Sequence, residues 1–169
     1  GEASLTCSGG DLVLTNTGTS TIVGGGSFTA AGAKDVTITG AASYSLLSSG
    51  QSSIDCTGNV ILENTGTGGI TSGGTFQLVH ANNVTISGAS TNALLASGSG
   101  SSLECSGKIM ITNTKGAISN GNSFTAIAHD MEITGNATDR GSMFSCTTVD
   151  LTGKGGDLSL TNNGSAPIV

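Results

Sequence analysis

Tryptophan is absent from this chain, and tyrosine, proline and arginine occur once each. Aromatic residues make up 3% of it and charged residues 9%, while glycine supplies 28 positions. So little charge and so few rings, diluted with Ser, Thr and Asn, could describe a disordered chain. The positive mean hydropathy and the fixed recurrence of apolar residues exclude that reading. A basic surface is also missing. The net charge of −6 argues against a nucleic-acid partner, which selects Lys and Arg. No apolar run approaches the ~20 residues needed to span a bilayer. No basic start followed by an apolar stretch marks a signal peptide. Gly-Lys-Ser/Thr loops, Gly-x-Ser-x-Gly elbows and Cys-x-x-Cys pairs are all lacking, which removes the common phosphate, acyl-transfer and thiol-redox sites.

What the chain does have is a repeat. "SLTCSGGDLVLTNTG", "SIDCTGNVILENTG" and "SLECSGKIMITNTKG" place Cys7, Cys56 and Cys105 at intervals of 49 residues. Between them lie "SFTAAGAKDVTITGA", "TFQLVHANNVTISGA" and "SFTAIAHDMEITGN", carrying Phe28, Phe76 and Phe124. Aligning the two unit types halves the period. Ile22, Leu46, Ile70, Leu94 and Ile118 are 24 residues apart, and Met143 and Ile168 follow at 25. A second column runs Leu12, Val36, Val60, Val84, Ile109, Met131, Leu158. A third is aligned as Leu5, Phe28, Ile54, Phe76, Leu103, Phe124, Val149. Each unit therefore holds three short alternating segments separated by Gly, Asn, Asp or Ser, a strand signature without helical stretches. The pattern predicts one all-β domain over residues 1–169: a right-handed, three-sided parallel β-helix of about seven coils of ~24 residues, roughly 34 Å tall at ~4.8 Å per stacked strand. A β-sandwich would not hold three columns in register through every unit.

Alternation assigns the faces. In "DLVLTN", Leu12, Leu14 and Asn16 point inward, and Val13, Thr15 and Thr17 outward. Asn16, Asn64, Asn113 and Asn162 stand in frame with the core, with Gly40, Gly88 and Gly135 at that place in the intervening coils. An inward Asn is expected to bond turn backbone. Asp11, Asp35, Asn59, Asn83, Asp130 and Asp157 form a turn column before the second strand, without the GGxGxD repeat that would suggest calcium. Cys7, Cys56 and Cys105 are predicted to be buried thiols about 9.6 Å apart, too far for disulfides. Ala30 or Leu78 is expected between them and Leu151 at the Cys place of the last unit. Cys146 is expected to be the reactive thiol.

Chemistry finds little support. Asp55, Glu104 and Asp150 are read as one outward acidic row in alternate coils, too widely spaced for a shared-proton pair and without a Lys or Arg column beside it. His80 and His129 are placed at the corner before the second strand, two coils apart, with no third ligand to complete a metal site. Neither catalytic residues nor a metal or cofactor site are expected. One surface pattern stands out. Thr15, Thr39, Ser87, Thr112, Thr134 and Thr161 stack outward on the second strand, interrupted by Glu63. The adjacent column reads Val13, Thr37, Ile61, Thr85, Met110, Glu132, Ser159. Paired Thr columns of this kind resemble the flat arrays of ice-binding solenoids. Thr15, Thr37, Thr39, Thr85, Ser87, Thr112, Thr134 and Thr161 are thus the candidate binding face.

The units "CSGKIMITNTKGAIS" and "CTGNVILENTGTGGITSGG" resemble the passenger repeats of the chlamydial polymorphic outer-membrane proteins, which are autotransporters. Lys115-Gly116-Ala117-Ile118 is similar to their Gly-Gly-Ala-Ile motif, and Gly68-Gly69-Ile70 less so. Their Phe-x-x-Asn motif is not matched, because Phe28, Phe76 and Phe124 are followed at the third place by Ala31, Val79 and Ile127. The resemblance implies an adhesin passenger at the bacterial surface or secreted, with a host receptor as partner. Neither end carries an amphipathic helix or a charged, proline-bearing edge, so a segment of a longer solenoid, or end-to-end association, is expected.

Overall fold

The computed structural model describes residues 2–47, 50–138 and 141–169, so Arg140 lies outside the described residues. Every regular element among them is a strand, and no helix is long and apolar enough to cross a membrane. The strands stack as a parallel β-solenoid of seven rungs and about six full turns. One sheet holds the second strand of each coil: β2 (Leu12–Asn16), β4 (Val36–Gly40), β7 (Val60–Asn64), β9 (Val84–Gly88), β11 (Lys108–Asn113), β13 (Asp130–Gly135) and β15 (Leu158–Asn162), each paired with the coil before and after. The other sheet runs β1 (Ala3–Thr6), β3 (Phe28–Ala33), β6 (Ser52–Cys56), β8 (Gly69–Ala81), β10 (Ala93–Cys105), β12 (Ala117–Ala128) and β14 (Phe144–Gly153), with β5 (Ser45–Leu47) paired to β8.

Three segments per coil thus form two sheets. In β8, β10, β12 and β14 the third segment continues into the first strand of the next coil. Gly73, Gly100 and Gly121, all at positive φ, bend three of these strands within the ladder.

The second-strand column is in the predicted register, Leu12 beside Val36 and so on to Leu158. The first-strand column is not. Phe28 pairs with Ala3 and Ser52, and Ala30 with Leu5 and Ile54. Phe76 pairs with Ser52 and Ser101, and Phe124 with Ser101 and Val149. The alignment is therefore two residues off in the first, third and fifth coils, whereas Val149 stands beside Phe124 as aligned.

The physical reason is volume. Phe28, Phe76 and Phe124, all essentially buried, interleave with the buried Ser52 and Ser101. One step along, Leu5 and Ile54 flank Ala30. Next, Cys56 pairs with Ala33, and Cys105 with Ala81. Large residues thus meet small ones at the phenylalanine and cysteine steps, while Leu78 stacks between Ile54 and Leu103. Ala33 and Ala81, rather than Ala30 or Leu78, therefore separate the cysteines. Gly153 lies beside Ala128 at the next step, and Leu151 beside Ala126.

The same size exchange recurs at the corner after the second strand. A Cβ on Gly40 or Gly88 would come within 2.5 Å of Leu46 Cδ1 or Leu94 Cδ1, and one on Gly135 within 2.6 Å of Met143 Cγ. Glycine makes room there for a long side chain of its own coil. The asparagine coils carry Ile22, Ile70, Ile118 and Ile168 instead. Coils therefore come in two classes, asparagine and glycine, which alternate along the stack.

Candidate functional site

The outward face of the second-strand sheet is the face singled out from sequence. Pairing aligns Thr15, Thr39, Glu63, Ser87, Thr112, Thr134 and Thr161 in one file. Val13, Thr37, Ile61, Thr85, Met110, Glu132 and Ser159 form the next. Thr39 Oγ1 lies 3.4 Å from Thr15 Oγ1. Both hydroxyl files continue without interruption only over short spans. Val13, Ile61 and Met110 stand exposed among them, at 62%, 42% and 37%, which makes this face partly apolar as well as hydroxylated.

Most of the charge gathers at the corner between the first and second strands, with the Lys108–Glu132 pair at the start of the second-strand face. His80 Nδ1 is 2.9 Å from Asp55 Oδ1, and Lys154 Nζ is 3.5 Å from Glu104 Oε1. His129 Nδ1 lies 3.0 Å from Asp130 Oδ2, and Lys108 Nζ donates to Glu132 Oε2 at 2.6 Å. The His129 imidazole, with the Asp157 amide, holds the Asp130 carboxyl below the usual carboxylate range, and Glu132 raises Lys108. Two readings from sequence are corrected here. Asp150 pairs with Thr125 and Glu104 with Ile127, so Asp150 is two residues out of the acidic row. The row is also not without a basic partner, because Lys154 reaches Glu104 across 50 residues of chain that carry no local signal of the contact. No cluster of three or more potential metal ligands occurs among the described residues.

The turn column has a backbone role. Asp35 Oδ1 accepts from the Asn59 amide at 2.6 Å, Asn83 Oδ1 from Lys108 at 2.8 Å, and Asp130 Oδ1 from Asp157 at 2.9 Å. Each side chain thus closes a donor that the turn leaves open. His80, at φ 61, is the one non-glycine residue among those described with positive φ. It occupies an irregularity in the ladder between Leu103 and Cys105, as Gly32, at φ 73, does between Ala31 and Ala33. A left-handed L-residue costs roughly 1–2 kcal/mol, and an exposed ion pair returns about 0–1 kcal/mol. His80→Gly is accordingly expected to be neutral or stabilising, within about 1 kcal/mol, by thermal unfolding.

The inward asparagines hold the loops that follow them. Asn64 Nδ2 donates to Ala42 O, Gly68 O and Gly69 O at 3.0–3.1 Å, and its Oδ1 accepts from the Gly66 amide at 3.1 Å. Asn113 donates to Ala117 O at 2.7 Å, Asn162 to Ala166 O at 2.7 Å, and Asn16 to Ser20 O. The carbonyl of the fourth residue on is held each time.

All four cysteines are free thiols. Cys56 and Cys105 are buried, whereas Cys7 and Cys146 are both half-buried, so Cys146 is not alone in being accessible. Burial pushes the Cys56, Cys105 and Cys146 thiols up. Thiol titration of the native protein is expected to modify Cys7 and Cys146 first and to leave Cys56 and Cys105 unmodified until denaturant is added. Rapid modification of all four would contradict the packing.

Comparison with known protein families, curated proteins and solved structures finds no match to this chain.

Proposed function

We propose that the chain is a non-enzymatic structural and adhesive solenoid segment of a bacterial surface or secreted protein. Its rigid sides are offered to a protein partner such as a host receptor. The supporting observation is the pair of parallel ladders, β1 to β14 and β2 to β15, closed over an apolar core. Each coil is fixed by its neighbours, so the outward residues keep constant spacing, as a repetitive docking surface requires. The surface location and the receptor rest on the autotransporter-like repeats. The test is saturable binding of labelled protein to host cell surfaces, competed by unlabelled protein. Linear, uncompeted uptake would reject the adhesive role.

A second reading is ice binding through Thr15, Thr37, Thr39, Thr85, Ser87, Thr112, Thr134 and Thr161. The registered hydroxyl files on one sheet face favour it. Val13, Ile61, Met110, Glu63 and Glu132 interrupt those files. Thermal hysteresis at millimolar protein would support this reading, and its absence would remove it.

A further inference from the structure

Rings are scarce in this chain, and their placement is uneven. Phe28, Phe76, Phe124 and Phe144 are all buried, whereas Tyr44, the single tyrosine, is 88% exposed. It stands in the loop between the second strand and the third segment of its coil. Gly68, Asn92 and Gly116 follow it at intervals of 24 residues. Successive coils are tied together here: the Gly69 amide donates to Tyr44 O, and the Ala117 amide to Asn92 O, both at 2.9 Å. A Cβ on Gly68 would collide with Tyr44 O, and one on Gly116 with Asn92 O. Close approach of the loops thus requires these glycines. They leave a slot over Gly68 with Tyr44 on one side and Asn92 on the other, about 9.6 Å apart at two strand spacings.

That slot belongs to a pocket of about 320 Å³, lined also by Thr67, Thr91 and Ala93. A second pocket, of about 350 Å³, shares Thr91, Asn92 and Ala93 with it and continues over Asn120 and Ser145. Together they form one groove along the stack, four strand spacings or about 19 Å from Tyr44 to Ser145. Among the described residues that line it, Lys115 is the one charge, and it lies in the second pocket. The side chains of Tyr44, Thr67, Thr91, Asn92 and Asn120 make no hydrogen bond to the protein among the described residues. Their position is nevertheless fixed. The buried Ser90 Oγ donates to Ala93 O at 3.0 Å and accepts from the Asn92 amide at 3.3 Å.

An exposed ring beside unpaired hydroxyls and amides, without charge, suits a ligand with apolar C–H faces, many hydroxyls and no charge of its own. An extended peptide fits less well. It would need a free sheet edge, and here β8 and β10 are each bonded to a neighbour on both sides. We propose that this groove binds a neutral glycan chain, one sugar ring stacking on Tyr44 beside the Asn92 amide and further rings extending toward Asn120. The proposal does not rest on the adhesive reading, since its test contains no cells.

The chain has no tryptophan, so fluorescence excited in the aromatic band comes chiefly from Tyr44 and reports occupancy of the slot. The probes are linear tetrasaccharides of glucose, mannose, galactose and N-acetylglucosamine, titrated to millimolar concentration. A saturable change is expected with at least one of them, and weaker binding with the corresponding monosaccharide. Calorimetric titration then compares variants whose urea unfolding matches the parent. Tyr44→Phe is expected to keep the affinity within about threefold, and Tyr44→Ala to lose about tenfold. Asn92→Ala is expected to lose about three- to tenfold. Thr39→Ala, on the second-strand face, is expected to change nothing. No saturable response to any of the four tetrasaccharides would overturn the inference. So would parent-like affinity in both Tyr44→Ala and Asn92→Ala, or a monosaccharide that binds as tightly as the chain. Tighter binding of a sulfated tetrasaccharide or of a Ser/Thr-rich peptide would overturn it too, assigning the groove to an anionic or a peptide ligand.

Discussion

A Phe76→Ala chain is expected to lose about 3–5 kcal/mol of unfolding free energy, measured by urea denaturation. Phe76 is 1% exposed, and its neighbours along the stack are Ser52 and Ser101. Neither serine can swing into the vacated volume as a leucine could. The backbone cannot close over it either, because β8 is bonded to β6 on one side and β10 on the other. The cavity therefore persists and the loss falls in the upper range for such truncations. A loss below about 2 kcal/mol would mean that larger side chains face Phe76, as the register read from sequence had it. Phe124 gives an internal comparison. It has an aromatic neighbour, Phe144, with ring centroids 5.1 Å apart. That ring can lean into part of the space, so Phe124→Ala is expected to cost less.

Asn64→Ala is expected to cost about 2–4 kcal/mol, also by urea denaturation, and to open the loop after β7 to hydrogen exchange. The side chain is fully buried and satisfies three carbonyls and one amide. Alanine leaves those groups without their partner and shielded from bulk solvent. A buried polar group left unpaired costs roughly 1–3 kcal/mol, and partial loop opening relieves some of the total. The position along the stack supplies the check. Asn16, in the outer coil, is only half-buried, so water can replace its amide, and Asn16→Ala is expected to cost about 1 kcal/mol. Equal losses at the two sites would show that the asparagine acts within its own loop alone.

The second-strand sheet was legible because its strands are short, of near-equal length and closed by a fixed Asn or Gly. A one-residue slip would have turned Leu14 or Ile38 to solvent. The column of Ile22, Leu46, Ile70 and their successors was legible for a related reason, since Ile, Leu and Met differ little in hydrophobicity. The first strand misled because alignment on its largest residue assumes like stacks on like. Here Phe76 stacks on serine, and the single extra residues at Gly32 and His80 each shift the register by one at the end of the strand. The merging of the third segment into the first strand left only glycines as its trace, and glycine marks a tight turn as readily as a bend within a ladder. Among the candidate surface residues, the hydroxyl files followed from alternation alone. The Glu104–Lys154 and Asp55–His80 pairs did not, because Lys154 lies two coils from Glu104 and His80 sits at a ladder irregularity that alternation does not announce.

Because strand pairing joins each coil only to the coil before and the coil after, the molecule behaves as a one-dimensional lattice. Its free energy of unfolding is a sum of links, and a link broken at the end has a different consequence from one broken in the middle. Losing β14 and β15 shortens the lattice by one site and leaves the remaining links intact. Breaking the links around Phe76, in the fourth rung, divides it into two halves of three rungs each, near the length at which such stacks stop being stable. Amide protection is therefore expected to rise from both ends toward β8 and β9. Mid-stack substitutions would abolish cooperativity, whereas terminal ones would only move the point at which fraying begins.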